Sequence, residues 1–274
     1  MLAPRRLPPH FERWNRQQKL DFALSLYGIA LRRTGVVRIL ALRPRVARLC
    51  GPFLWQPNSA TRLFEYPWAH QTIASLGRTL RVVEVGGGLS GMQWVLASDG
   101  HQVINVDPGL AAAGKGWSLN PNLHHRLSSA FGGGVDLRPA TIGAAGIPEH
   151  SVDVLLSIST LEHMTREDVT EFCRHARRVI RDDGLAIISI DLFLDLAPFT
   201  NKASNRYGRN VDVRGLLDDA GLELAAGTPS ELFGFPAFAT EAIQAHAGDY
   251  LRGRYPAFAQ CLVARPAPRP GRQG

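Results

Sequence analysis

The chain has 274 residues, 45% apolar and 20% charged, enough apolar material for a sizeable core and too little charge for a solvated, disordered chain. Its three cysteines, Cys50, Cys173 and Cys261, are odd in number and far apart, which suggests neither a disulfide scaffold nor a zinc site; with no signal peptide and no apolar run near 20 residues, a reducing, cytoplasmic setting is expected. The net charge of +7 is uneven: residues 1–50 hold ten Arg and one Lys against two acids, while the rest holds 20 basic and 22 acidic groups, so the main body lacks the positive working face of a nucleic-acid enzyme and no nucleic-acid partner is expected.

Residues 11–31 read as helical, and nine of the twelve residues from Leu20 to Leu31 are apolar, too few to span a bilayer. The following Arg32, Arg33, Arg38, Arg43, Arg45 and Arg48 suit either a basic helical cap packed on the main domain or a helix on a membrane or protein surface. Gly51-Pro52 marks a break. Residues 1–75 are therefore expected to form a basic helical arm and residues 76–264 the main domain. The Pro-rich stretch 265–274 is expected to be a disordered tail. Nothing in the pattern speaks to oligomeric state.

Within the main domain, strand and helix signals alternate, which argues an α/β fold with a parallel sheet. Strands are expected at Arg81–Val85, Gln102–Val106, Val152–Ser157 and Leu185–Ile190, whose nearly continuous apolar character suits burial on both faces. A helix is expected from about Arg166 to Arg181, opened by a Thr165/Asp168 capping box and stopped at Gly184. A further helix over Val211–Ala220 precedes strands at Leu222–Ala226 and Ala257–Val263.

The strongest signal is Arg81-Val-Val-Glu-Val-Gly-Gly-Gly-Leu-Ser-Gly91. An apolar strand ends in three glycines and a helical stretch follows, which lets the backbone turn sharply and approach a ligand closely. A second strand ends at Val106-Asp107, where an acid can accept both hydroxyls of a ribose. Dinucleotides and S-adenosylmethionine both fit this geometry. Glu84 favours the second: a carboxylate inside the strand repels a pyrophosphate but suits the cationic amino group of S-adenosylmethionine.

The Glu84–Gly91 run resembles motif I of the class I S-adenosylmethionine-dependent methyltransferases, and Val106-Asp107-Pro108 resembles their ribose-binding acid. Ile147–His163, with its Leu-Glu-His ending, is similar to the family's fourth-strand region. Val179–Ser189 resembles its turn into the fifth strand, and Ala220-Gly-Leu-Glu-Leu the start of its sixth. The resemblance implies a Rossmann-like seven-stranded sheet with helices on both faces and the last strand antiparallel. It implies S-adenosylmethionine as cofactor, held by Glu84, Gly86, Gly87, Gly88, Gly91, Asp107 and Pro108. Counting back from Pro148, the acid that many members place after the third strand falls at Gly143 or Ala144, so adenine is expected against backbone and apolar atoms near Ile142 and Gly143.

Ligands in open parallel sheets bind at the carboxyl ends of the strands, which puts Ser159 and His163 beside the cofactor. His163 is the first candidate for a general base, although Glu162 and His163 equally suit capping of the next helix. Asp191 is the second candidate. Glu65-Tyr-Pro-Trp68 offers Tyr66 or Trp68 as a cover for the cofactor cation. The motifs of enzymes acting on nucleic-acid bases are absent, as is any metal-ligand spacing of histidines. A small-molecule acceptor remains, methylated on a hydroxyl, amine or carbon, with a sugar or secondary metabolite among the candidates. The alternatives are a non-catalytic binding module on the same fold and an NAD(P)-dependent oxidoreductase.

Overall fold

The computed structural model describes residues 1–116, 118–253 and 255–268. Five strands run parallel: β1 (Arg81–Val85), β2 (Gln102–Val106), β3 (Val135–Arg138), β4 (Val152–Ile158) and β5 (Ile180–Phe193). With β6 (Leu222–Ala226) and β7 (Ala257–Pro266) they form one sheet in the order β3-β2-β1-β4-β5-β7-β6. β7 is antiparallel to both of its neighbours. The order turns back at β1 and β4, and ligands of such sheets bind beyond the carboxyl ends of the strands at that switch point.

Side chains alternate across the sheet, as the pleat requires. Val82, Val103, Val154 and Leu156 face one apolar cluster, and Val83, Val85, Ile104 and Leu155 face another. The arm comprises α1 (Pro9–Gln17), α2 (Leu20–Leu24), α3 (Leu26–Arg33), α4 (Val36–Leu40) and α5 (Pro44–Cys50), of which α1 and α2 reach the first face. Next come α6 (Arg62–Ala74), α7 (Gly91–Ser98) and α8 (Pro121–Ala130), then α9 (Arg166–Val179) and α10 (Val213–Asp219) on the second face, and α11 (Thr240–Ala245). Trp14, Leu20, Phe53 and Tyr66 share one buried cluster with Val82 and Val103, so the arm is packed on the domain. Its first residues lie along β7, with Ala3 N donating to Ala259 O at 2.9 Å.

Four details depart from the sequence reading. The single helix expected over 11–31 is three: Lys19 sits in the left-handed region at φ 59, and extended Ser25 restarts the chain by accepting from Gly28 N. Helix α9 keeps its capping box but ends at Val179, because Ile180 turns extended and pairs with Val152. Gly184 is therefore no helix stop; a Cβ there would lie 3.0 Å from the Val152 and Asp153 carbonyls. The third strand ends at Arg138, earlier than counting back from Pro148 suggests, because a loop pinned by Arg138 to the Ala145 and Gly146 carbonyls intervenes. Finally, Arg265 and Pro266 belong to β7 and Ala267 N donates to Gly221 O; of the expected tail, residues 269–274 lie outside the described residues.

Candidate active site

A cavity of about 390 Å³ opens at the carboxyl ends of β1, β2, β4 and β5. Its walls bring together most of the residues named from the sequence: Glu84, Gly86, Gly87, Gly88, Asp107, Pro108, Ile142, Ser159, His163, Asp191 and Tyr66. Gly91 and Gly143 are not in the walls. A Cβ on Gly91 would strike the Phe53 ring at 2.6 Å, and one on Gly143 would strike Glu171 at 2.2 Å, so both positions are closed by packing. Trp68 packs in the apolar clusters instead.

One half of the cavity is made by loops. Gly86 turns the end of β1 at φ 74, and a Cβ there would fall 2.1 Å from Thr160 Cγ2. No other residue fits so close an approach. Asp107 fastens this turn to the next one: Oδ2 accepts from Gly88 N at 2.8 Å and Oδ1 from Gly109 N at 2.7 Å. Each carboxylate oxygen keeps a lone pair for a further donor. From the arm, Gln56 Oε1 accepts from Leu89 N at 2.9 Å. Below the loop Glu84 is buried; Oε1 accepts from Ser90 Oγ at 2.8 Å, while Oε2 has no partner. Burial pushes the Glu84 carboxyl up to about 7 against the Ser90 hydrogen bond, with Asp107 adding to the rise.

The other half is made by side chains from distant segments. Arg62 of α6 donates to Glu65 and, at 2.6 Å, to Ser159 Oγ. Glu65 Oε1 accepts from Ser159 Oγ at 2.8 Å and Ser189 Oγ at 2.5 Å. Ser159 Oγ also lies 3.3 Å from Asp191 Oδ1. Ser159 adopts φ 43, a strained value for a residue with a side chain that is common at functional sites. Burial works to lower the Arg62 pKa, but Glu65, Tyr66 and Asp191 outweigh it, and the guanidinium stays charged. Asp191 is driven up to about 7 by burial, with Arg62 and the Ser159 hydroxyl opposing and Glu65 adding. Glu162, whose Oε1 accepts from Asp191 N at 3.1 Å, is raised well above the usual carboxyl range by burial and then by Asp191.

His163 differs from the sequence expectation in character. Its Nδ1 faces the Tyr207 carbonyl, an acceptor only, so the ring hydrogen sits on Nδ1 and Nε2 is bare. Burial lowers its pKa to about 4, with Lys115 and Arg62 working the same way against the Tyr207 hydrogen bond. The ring is neutral near pH 7 and too weak a base for efficient proton removal. Of the described aromatics in residues 228–255, only Tyr255 lines the cavity, its ring tilted 36° to that of Tyr207 with 3.8 Å between centroids.

Sequence reasoning missed Gln56, Arg62, Glu65 and Ser189. A signal existed for one of them. Ser189 and Asp191 alternate in an otherwise apolar strand, which places both on one face.

The loop half fits a nucleoside with an attached ammonium. Asp107 presents free lone pairs where a ribose would lie, glycine backbone permits close approach, and the partnerless Glu84 Oε2 awaits a cationic donor. Residues 83–188 match the family described as "Methyltransferase domain". Residues 83–188 therefore carry a methyltransferase domain. No curated protein sequence matches the methyltransferase. Its fold is similar to that of a Burkholderia thailandensis 1,6-didemethyltoxoflavin-N1-methyltransferase, at 18% identity and a TM-score of 0.53, over 97% of this chain and 95% of that one. It is also similar to a magnesium protoporphyrin IX methyltransferase from Synechocystis, at 16% identity and a TM-score of 0.50, over 76% of this chain and 85% of that one.

Proposed function

We propose that the methyltransferase acts on a small molecule carrying an acidic N–H or O–H, and that Asp191 removes that proton. The observation that supports this reading is the placement of Asp191: a buried carboxyl in the cavity wall, beside Ser159, with a pKa near 7. A base of that strength suits proton removal at neutral pH better than the neutral His163 does. The bound cofactor supplies an electrophilic methyl group. As the acceptor atom bonds to that methyl carbon and the sulfur–carbon bond breaks, the acceptor's proton passes to Asp191.

The remaining residues have supporting roles. Glu84 takes the amino group of the cofactor, Asp107 the ribose hydroxyls, and Pro108 and Ile142 the flanks of the nucleoside. Tyr66, ring against Phe53 at 4.8 Å, covers the cation. Arg62, Glu65 and Ser159 hold the Asp191 carboxyl in place, and His163 positions the Tyr207 loop over the cavity. The enclosed cavity suits a small acceptor, as do the small-molecule names of the two similar methyltransferases. Residues 1–75 form a cap on a domain spanning 76–264. The three free cysteines suit a reducing, cytoplasmic compartment.

Turnover measured with S-adenosylmethionine across a panel of phenols, N-heterocycles and amines tests the reading, together with calorimetric titration of S-adenosylhomocysteine and NADH. Methylation that is fastest for acceptors with an ionisable N–H or O–H is the expected result. Tight NADH binding, or cofactor binding with no turnover on any acceptor, would overturn it.

A further inference from the structure

The outer face of α3–α5 takes no part in the site. Their inner residues Leu31, Val37, Leu40, Ala41 and Ala47 join one apolar cluster with Trp55, Leu89 and Leu119, and those last three line the cavity. Turned away from that cluster are Leu26, Tyr27, Ile39, Leu42 and Leu49, between 54% and 86% exposed. Among the described residues, six of the eight exposed large apolar side chains fall within residues 26–49. Arg33, Arg38, Arg43 and Arg45 stand exposed among them. No Asp or Glu occurs from residue 22 to residue 64, so this face carries positive charge without local compensation.

We infer that this face docks on an anionic lipid bilayer, lying in its interface. Exposed Leu, Ile and Tyr interleaved with Arg on short helices is the composition of an interfacial anchor. Among the described residues no helix is long and apolar enough to cross a membrane. Other occupants fit less well. A second copy of the same face would bring like charges together. A nucleic acid offers phosphates to the arginines but no apolar surface to five exposed side chains. Docking would leave the Trp55–Leu89 wall of the cavity behind a single layer of helices, about 10 Å thick. The inference is independent of the acceptor and of the role given to Asp191.

Co-sedimentation of the full chain with vesicles tests it. Vesicles of phosphatidylcholine alone are compared with vesicles containing about 30% phosphatidylglycerol, at about 0.1 M and 0.5 M salt. Binding is expected only to the anionic vesicles, and weaker at high salt. Each arginine near such a surface contributes roughly fivefold in partitioning. The variant Arg33→Gln/Arg38→Gln/Arg43→Gln/Arg45→Gln should therefore bind at least 50-fold more weakly. Leu26→Ser/Ile39→Ser/Leu49→Ser should lose at least tenfold. Both variants should keep the parent's melting temperature and S-adenosylhomocysteine affinity, which shows that they fold. No binding to anionic vesicles would overturn the inference, as would equal binding to neutral ones or charge variants that bind like the parent. A solution dimer abolished by the apolar variant would overturn it too, assigning the face to a second copy.

Discussion

The two halves of the cavity are built on different principles. The loop half, proposed to hold the cofactor, is backbone: glycine turns and one aspartate, all within residues 84–109. The other half, proposed to meet the acceptor, is side chain: Arg62, Glu65, Ser159, Ser189 and Asp191, joined across 94 to 124 residues of sequence. Backbone amides at a turn have fixed positions and tolerate few substitutions, so they suit a ligand that does not change. A network of buried polar side chains can be redrawn by single substitutions, so it suits selection among acceptors. The same contrast separates affinity from rate, and each half should fail in its own way.

The largest effect is expected at Asp191. Asp191→Asn should lower kcat by about 10²–10⁴-fold, the range of a general base, while S-adenosylhomocysteine affinity measured by calorimetry stays within about threefold. On the other side, Asp107→Ala should weaken cofactor affinity by roughly 30- to 1000-fold. It removes two charge-assisted hydrogen bonds of about 1.5–3 kcal/mol each, which do not add fully. A change below threefold, with the fold intact, would take Asp107 off the ribose and collapse the division between halves.

Glu65→Ala should act on stability. It leaves the half-buried Arg62 with Ser159 and Asp191 but without its main carboxylate, and removes the acceptor of two buried hydroxyls. A loss of about 3 kcal/mol is expected, at the low end for a broken buried pair, read from denaturant unfolding. The pH profile sharpens the assignment further. Asp191 holds its proton below its pKa of about 7 and can accept one only above it. The rate should therefore rise about tenfold between pH 6 and 8, and the limb should vanish in Asp191→Asn. The smallest change is expected at His163. Already neutral above about pH 4, it contributes no limb near 7, and His163→Ala should stay within about fivefold of the parent kcat across pH 6–9. A larger loss, with the limb removed, would return the base to His163.

The loop half of the cavity was legible in the sequence because its parts are contiguous: a strand, three glycines, then an acid at the end of the next strand. The seven-stranded sheet with its antiparallel last strand followed from the family resemblance of the same run of motifs. The third strand was not placed, since Val135–Arg138 is short and half-exposed, with an Asp136–Arg138 pair on its surface. Without it, counting back from Pro148 put the end of the third strand too late. The breaks in the arm were equally silent, because a left-handed lysine leaves no composition signal. The acceptor half was only hinted at. Asp191 could be nominated from its strand end, but Glu65 gained meaning only once α6 lay over β4 and β5. Tyr207 reaches His163 through a backbone carbonyl, which no residue type announces.

Asp107 is also a joint. By holding the amides of Gly88 and Gly109 at once, it ties the loop after β1 to the loop after β2 before any ligand arrives. Two segments that would otherwise fluctuate separately are kept in the shape that a nucleoside requires. Little conformational entropy is then lost at the moment of association, and more of the contact energy emerges as affinity. The two amides should accordingly exchange slowly with solvent deuterium in the ligand-free enzyme, at positions where exposed turns ordinarily exchange fast.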